Sequence, residues 1–405
     1  MEILDALLIT PQYFDVDCSL PSLWDWSCGR QISRSDYTRS EGRRRAFASV
    51  CRSWRAYAES RANRSEHITT AVPRSRRITI DDVKVEHPCV STRWEILVAH
   101  LADEVGHGTG HFRRIAQNIH LHKNIKRIDL RIAGAIHIPD LMHILPAFST
   151  LVCLSVVLDD AAGLSLPPEP ISLPNLNSLI LKTPYIRQYP HELFEIPSLV
   201  NLHFTVTGDA PSFEELLYPY HGTLKNLGIC WGGHVFLTTT QTLPGWDFFP
   251  RLEELVLDGW GSRTPRVTSP PPPTHPLRVV RIDQITWPII DQLLPARDDP
   301  DVVERNAIRK IAILTLHWTS GGYRNPDGYQ LFDQSEMARV HVLAKLCANM
   351  GIGLEDVTGA YLERPGNTWS DFNDSEILPT ILCANEGVET YDFISSPRDE
   401  EIIFG

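Results

Sequence analysis

An apolar triplet that recurs at nearly constant spacing is the feature that most constrains the fold of this 405-residue chain. In each copy, large apolar side chains occupy the first, fourth and sixth positions of a six-residue segment. The first positions of successive copies are 26, 25, 23, 25, 28, 25 and 31 residues apart. The copies are Ile125/Ile128/Leu130, Leu151/Leu154/Val156, Leu176/Leu179/Leu181, Leu199/Leu202/Phe204, Leu224/Leu227/Ile229, Leu252/Leu255/Leu257, Leu277/Val280/Ile282 and Ile308/Ile311/Ile313.

A shared lead-in strengthens this pattern, since isolated triplets arise by chance. The lead-ins are Leu-Pro-Asn-Leu from Leu173, Ile-Pro-Ser-Leu from Ile196, Phe-Pro-Arg-Leu from Phe249 and His-Pro-Leu from His275. Together with a spacing of about 20–29 residues, the pattern is typical of leucine-rich repeats. It predicts an α/β solenoid of parallel strands with helices or loops on the convex side. The Asn or Cys expected after the third apolar position is absent from nearly all units, which predicts irregular curvature.

The strand register predicts a binding surface. Two apolar residues of each strand point inward, so the alternate side chains are expected to face solvent on the concave side. Trp231 and Trp260 follow two neighbouring strands, where they are either core residues or an aromatic ledge at a binding surface. The candidate partner-binding residues are Arg127, Arg131, Lys182, His203, Asn226, Trp231, Glu254, Asp258, Trp260 and Arg281.

Charge is unevenly distributed along the chain, whose net charge is −12. The segment from Arg30 to Ile80 contains 13 Arg, no Lys and four acidic residues, a balance of +9, so the remainder carries −12 − 9 = −21. An acidic body argues against nucleic-acid binding along the chain. The basic head is suited to an acidic partner.

The remaining composition predicts a reduced, intracellular protein in the cytoplasm or nucleus. None of the eight Cys forms a Cys-x-x-Cys pair, and the start of the chain lacks the features of a signal peptide. The longest clear apolar run, Leu151 to Leu158, is too short to cross a membrane. No membrane partner is therefore expected.

The repeats and their flanks predict four regions: a helical segment at 1–66 with an inserted polar loop, a linker or helical cap at 67–122, irregular repeats at 123–320, and a C-terminal repeat or capping region with an acidic tail at 321–405. Within the last region, apolar spacing predicts a helix over Asp333–Asn349 that stops at Gly351. The proline-rich stretch Gly261–Pro276 is interpreted as a stiff surface spacer, with a ligand for a proline-binding domain as the alternative.

The head contains an amphipathic helix pattern over residues 41–61, with arginines on the face opposite to its apolar side chains. Within it, Val50-Cys51-Arg52-Ser53-Trp54-Arg55 resembles the closing helix of the F-box. Met1-Glu-Ile-Leu-Asp-Ala-Leu-Leu is similar to the opening F-box helix entered partway, without the usual Leu-Pro-x-Glu lead. Head and repeats together resemble the F-box-like repeat proteins of mushroom-forming fungi.

This resemblance implies a substrate-recognition subunit of an SCF-type cullin-RING ubiquitin ligase. The F-box-like helix would bind a Skp-type adaptor, and the concave face of the repeats would bind an unknown target protein. Val50, Cys51 and Trp54 would pack in or near the adaptor interface, with Arg52 and Arg55 at its rim. The alternative is a leucine-rich-repeat scaffold without a ligase link.

Motifs for catalysis are not found in the sequence. His107 and His111 have a spacing that could bind zinc on a helix, but Gly106, Gly108 and Gly110 disfavour a helix there. No Gly-x-Ser-x-Gly elbow or phosphate-binding glycine loop occurs. We therefore predict a non-enzymatic protein without catalytic residues, metal or cofactor; an enzyme on an unrecognised fold is the third-ranked hypothesis.

Overall fold

The computed structural model describes residues 65–67, 77–80, 94–101, 117, 123–132, 144–158, 169–182, 190–206, 212–231, 242–259, 266–282, 287–294, 306–313, 317–319, 322–324 and 334–355. The chain divides into two compact units, Met1–Leu314 and Thr315–Gly405. The predicted adaptor-binding residues Val50, Cys51, Arg52, Trp54 and Arg55 lie outside the described residues, as do His107 and His111.

The first unit is a solenoid built on one parallel sheet. Its strands are β1 (Ser65–His67), β2 (Arg77–Ile80), β3 (Ile96–Leu101), β4 (Arg127–Ile132), β5 (Cys153–Leu158), β7 (Ser178–Lys182), β9 (Asn201–Val206), β10 (Asn226–Trp231), β11 (Glu254–Gly259), β12 (Val279–Ile282) and β13 (Lys310–Ile313). Each strand pairs in parallel with the next strand of this series. A repeat solenoid of parallel strands is thus confirmed.

Short elements connect these strands. They are a 3-10 helix at Leu145–Ala147, β6 (Ile171–Ser172), α1 (Pro190–Leu193), β8 (Phe194–Glu195), α2 (Phe213–Leu217), a 3-10 helix at Trp246–Phe248 and α3 (Trp287–Leu293). β6 and β8 form a separate parallel pair. Helices are therefore few and short among the described residues of this unit.

The predicted triplets form the core of the solenoid. Every triplet residue is at most 2% exposed. Neighbouring strands are in register, so that Leu202 pairs with Leu227 and Leu227 with Leu255. Stacked units thereby bury one continuous apolar column, which no single unit could bury alone.

The lead-ins form a repeated turn at the entrance to the strands. Leu176 N donates to Leu173 O at 3.1 Å, and Leu252 N donates to Phe249 O at 3.2 Å. Proline occupies the second position of both turns, where its fixed φ is favourable. Beyond each turn, one carbonyl accepts two N–H groups from the next unit, as Val152 O does from residues 177 and 178 at 2.8 and 3.1 Å. The same arrangement recurs at the carbonyls of residues 95, 126, 177, 200, 225, 253 and 278.

The parallel sheet extends upstream of the first predicted triplet. β2 and β3 fall within the stretch 67–122, and Trp94, Leu97 and Ala99 are buried there. The spacing of Trp94, Leu97 and Ala99, which is that of the predicted triplets, was the sequence signal for this strand. It was missed because its last apolar position is a small alanine.

The proline-rich stretch is packed against its neighbours over the described residues 266–282. Trp246 Nε1 donates to Ser269 O at 2.6 Å, and Pro271 is buried. His275 accepts from Leu277 N at Nδ1, at 3.1 Å, so its Nε2–H donates to Phe249 O at 2.9 Å. These contacts anchor part of the stretch, as the spacer interpretation expects, whereas Pro272 and Pro273 are exposed and leave the alternative of a proline-binding ligand open.

The second unit contains β14 (His317–Thr319) and β15 (Gly322–Arg324), which pair antiparallel, followed by α4 (Gln334–Asn349) and β16 (Gly353–Glu355). The predicted helix and its stop are confirmed, because Gly351 follows α4 with a φ of 66°. Ile352 N donates to Cys347 O at 2.8 Å, and Gly351 N donates to Ala348 O at 3.3 Å. This pair of hydrogen bonds is a Schellman motif.

One of the described cysteines does not meet the expectation of reduced thiols. Cys153 is disulfide-bonded, and its partner lies outside the described residues. Cys347 carries a buried thiol, whose pKa is raised by burial to about 12.

Candidate binding surface on the sheet face

The candidate site is the sheet face opposite to the apolar core, which we call the outer face. Its side chains come from the first, third and fifth positions of each strand. Because the strands are in register, these positions form rows that run across the sheet. The first row from β4 to β11 is Arg127, Cys153, Ser178, Asn201, Asn226 and Glu254, and the third row from β4 to β12 is Asp129, Ser155, Ile180, His203, Gly228, Val256 and Arg281.

Much of the outer face is buried, which corrects the expectation that its predicted binding residues face solvent. That expectation is wrong for Arg127, His203 and Arg281, which are 1%, 4% and 6% exposed. Adjacent strands lie only about 4.8 Å apart, so long side chains on neighbouring strands shield one another. Arg127 and Arg281 also lie against carboxylates of the same face, as described below.

Other predicted residues remain accessible. Arg131 is exposed, and Lys182, Asn226 and Glu254 are partly exposed. Trp231 and Asp258 are placed by their strands, but their side chains are outside the description, as is the whole of Trp260. An aromatic ledge formed by the two tryptophans therefore stays a prediction.

An ion pair lies on the part of the outer face that β4 contributes. Arg127 Nε donates to Asp129 Oδ1 at 2.8 Å, and both side chains are 1% exposed. The strand period places these residues on the same face, two positions apart. The second carboxylate oxygen, Asp129 Oδ2, and the neighbouring Ser155 Oγ are buried and have no hydrogen-bond partner among the described residues. This part of the face therefore holds polar groups removed from water.

A polar ladder made of two hydrogen-bonded groups of side chains crosses the centre of the outer face. We define it as Ser178, Asn201, Asn226, Glu254 and Arg281. Asn201 Nδ2 donates to Ser178 Oγ at 2.7 Å, and Asn226 Nδ2 donates to Asn201 Oδ1 at 2.5 Å. At the far end, Arg281 Nε donates to Glu254 Oε1 at 2.5 Å.

The ladder retains hydrogen-bonding capacity toward solvent. Asn201 and Asn226 are partly exposed, and an amide offers two donors and two acceptor positions. Only part of this capacity is used by the bonds along the ladder. Ser178 and Asn201 lie on this face by the strand register but are not among the predicted binding residues. Their signal was a polar residue at the first strand position of four successive units.

His203 lies beside this ladder as a neutral group. Burial, followed by the positive charge of Lys182, lowers its pKa from 6.5 to about 3. The imidazole is thus uncharged at neutral pH. It contributes shape and polarity to the face, but no positive charge.

Comparison with known proteins identifies neither a family nor a relative of this chain. No protein-family model matches it, and no curated protein sequence matches it significantly.

Within the part of the chain that the structure describes, no three His, Cys, Asp or Glu side chains are grouped to hold a metal ion. The described helices include none that is long and apolar enough to cross a bilayer.

Proposed function

We propose that this chain is a leucine-rich-repeat scaffold that binds a partner protein on the accessible part of its outer face. The polar ladder is the observation that carries this proposal. Amides in adjacent strands are held in place by one another, so they lose little side-chain entropy when they bind. A pre-organised row of donors and acceptors is suited to an extended segment of another protein.

The test replaces ladder residues in the intact chain and measures recovery of cross-linked partners from host extract. Asn226→Leu removes the partly exposed amide and leaves a side chain of similar size. Partners that are specific for the ladder should be lost from Asn226→Leu and retained by Asn175→Leu, a matched exposed position in a strand-entry turn. Equal recovery by the two variants would refute binding at the ladder.

A more specific form of this proposal makes the scaffold the substrate-recognition subunit of an SCF-type ubiquitin ligase. Its support is the resemblance of Val50-Cys51-Arg52-Ser53-Trp54-Arg55 to the F-box closing helix. The basic head would bind a Skp-type adaptor, and the ladder would hold the target. In this form, partners recovered through the ladder are substrates for ubiquitination.

Co-purification of the full chain with its host's Skp-type adaptor tests the ligase role. We expect an equimolar complex that is lost in Trp54→Ala and weakened in Arg55→Ala. Arg251→Ala is the matched control, since Arg251 is an exposed arginine of a repeat turn. Recovery of the folded chain without adaptor would refute the ligase role and leave the scaffold proposal intact.

A further inference from the structure

An exposed aromatic stack lies outside the sheet face. Tyr218 is 65% exposed, the one large apolar side chain with high exposure among the described residues. Its ring stacks on His221 with centroids 5.4 Å apart and planes inclined by 24°. His221 in turn contacts Phe248, at 5.0 Å between centroids. We call Tyr218, His221 and Phe248 the edge stack.

Hydrogen bonds hold the backbone around the edge stack in place. Ser212 Oγ accepts from Glu214 N at the start of α2, and Tyr218 N donates to Glu214 O at 2.9 Å at its end. The buried Tyr220 donates from its hydroxyl to Phe194 O in the preceding unit, at 3.3 Å. His221 Nδ1 lies 2.6 Å from Tyr218 O. Tyr218 is therefore held in an exposed position by the residues on either side of it.

The surroundings of the edge stack are acidic. The segments 212–221 and 242–251 contain the exposed acidic residues Glu214, Glu215 and Asp247 and one basic residue, the exposed Arg251 at the end of the second segment. Glu214 precedes Tyr218 by four residues, and the hydrogen bond between them keeps the helical spacing that brings such side chains together. The nearest lysine in sequence, Lys225, forms an ion pair with Glu253 at 2.8 Å.

We propose that the edge stack and Glu214 bind an arginine side chain presented by a basic segment of a partner protein. One face of the Tyr218 ring is covered by His221, and the high exposure of Tyr218 leaves the other face open to a ligand. A guanidinium is planar, stacks on aromatic rings and donates two parallel hydrogen bonds to a carboxylate. An aromatic face beside a carboxylate provides both interactions. Neither group belongs to the polar ladder, so this surface does not depend on the function proposed for the outer face.

Fluorescence anisotropy with a labelled peptide of alternating Gly and Arg tests the proposal on the full chain. Because the whole protein is acidic, such a peptide also binds through bulk charge. Tyr218→Ala leaves the net charge unchanged and therefore isolates the aromatic contribution. We expect affinity to fall about fivefold in Tyr218→Ala, the size of an exposed cation–π contact. Tyr218→Phe keeps the ring and should bind like the native chain.

Glu214→Gln tests the carboxylate, with Glu169→Gln as a control that makes the same charge change at another exposed site. We expect a larger loss of affinity in Glu214→Gln than in Glu169→Gln, and weaker binding of a Gly–Lys peptide than of the Gly–Arg peptide. The proposal is overturned if Tyr218→Ala binds the Gly–Arg peptide as tightly as the native chain does. Equal losses in Glu214→Gln and Glu169→Gln would likewise overturn it.

Discussion

At the residue scale, the outer face contains charges that are withdrawn from water. Arg127 and Asp129 are both 1% exposed, whereas the Lys225–Glu253 pair on the surface is 49% and 52% exposed, and both pairs have an N···O distance of 2.8 Å. Despite the equal distances, the loss of one partner costs more in the buried pair than in the surface pair, because it leaves a charge in a poorly solvated site. Surface pairs are screened by water and contribute little.

Replacement of Asp129 tests this difference. We expect Asp129→Ala to lower the free energy of unfolding by about 3 kcal/mol or more, because the Arg127 guanidinium loses its carboxylate while it stays buried. Glu253→Ala, the control in the exposed pair, should cost less than about 1 kcal/mol. Urea unfolding measures both. The double variant Arg127→Met/Asp129→Leu should recover most of the loss, and equal costs for the two single variants would contradict the burial of the pair.

His203 makes stability depend on pH in a defined window. Its folded pKa is about 3 and its ordinary value is 6.5, so the unfolded chain binds more protons between these values. The free energy of unfolding is therefore unaffected by this group well above pH 6.5, and it decreases as the pH is lowered from 6.5 toward 3. This one group should remove about 2 kcal/mol between pH 7 and pH 5.

Thermal or urea unfolding across that pH range measures the effect. His203→Gln keeps a polar side chain that does not titrate, so its stability should fall less steeply between pH 7 and pH 5. Parallel pH profiles for the native chain and His203→Gln would show that the imidazole is not held neutral by the fold.

The sequence indicated which residues share the outer face, but not which of them are buried. Alternation along a strand places Arg127, His203 and Arg281 on that face by local geometry alone. Their burial depends on contacts between side chains of different strands, such as the contact of Arg281 with Glu254. Such contacts join residues 27 positions apart, and no local pattern contains them.

At the element scale, Pro and Gly residues were the most reliable sequence markers of where a strand or helix begins or ends. The Pro lead-ins, which supported the repeat pattern, form the strand-entry turns, and Gly351 predicted the end of α4. Both residues act through their own backbone preferences, which tertiary contacts rarely reverse. The strand β3 was missed because its triplet ends in Ala99, which does not count as a large apolar residue.

Gly351→Ala tests the role of the α4 terminus. A side chain at a φ of 66° costs about 1 kcal/mol, so we expect the free energy of unfolding of the second unit to fall by that amount. Gly245→Ala is the matched control, since Gly245 has a φ of −60° and open space for a Cβ. The control should be neutral or slightly stabilising in urea unfolding. A similar loss in both variants would argue against the Schellman motif.

At the scale of the whole molecule, the solenoid couples neighbouring units more strongly than distant ones. Leu227 in β10 is fully buried and pairs with Leu202 in β9 and Leu255 in β11. The repeated double hydrogen bonds at strand entrances also join only successive units. In such a quasi-one-dimensional arrangement, stability is the sum of unit and nearest-neighbour contributions.

Leu227→Ala should therefore produce a local loss of protection that decays along the sheet. The cavity is expected to cost about 2–5 kcal/mol, and amide hydrogen exchange detects where opening becomes easier. We expect exchange to increase most in β10, next in β9 and β11, and least in β4. Leu154→Ala, the equivalent change in β5, provides the control because its maximum should move toward β4. A uniform increase along the sheet in both variants would show instead that the solenoid unfolds as one cooperative unit, with distant repeats as strongly coupled as adjacent ones.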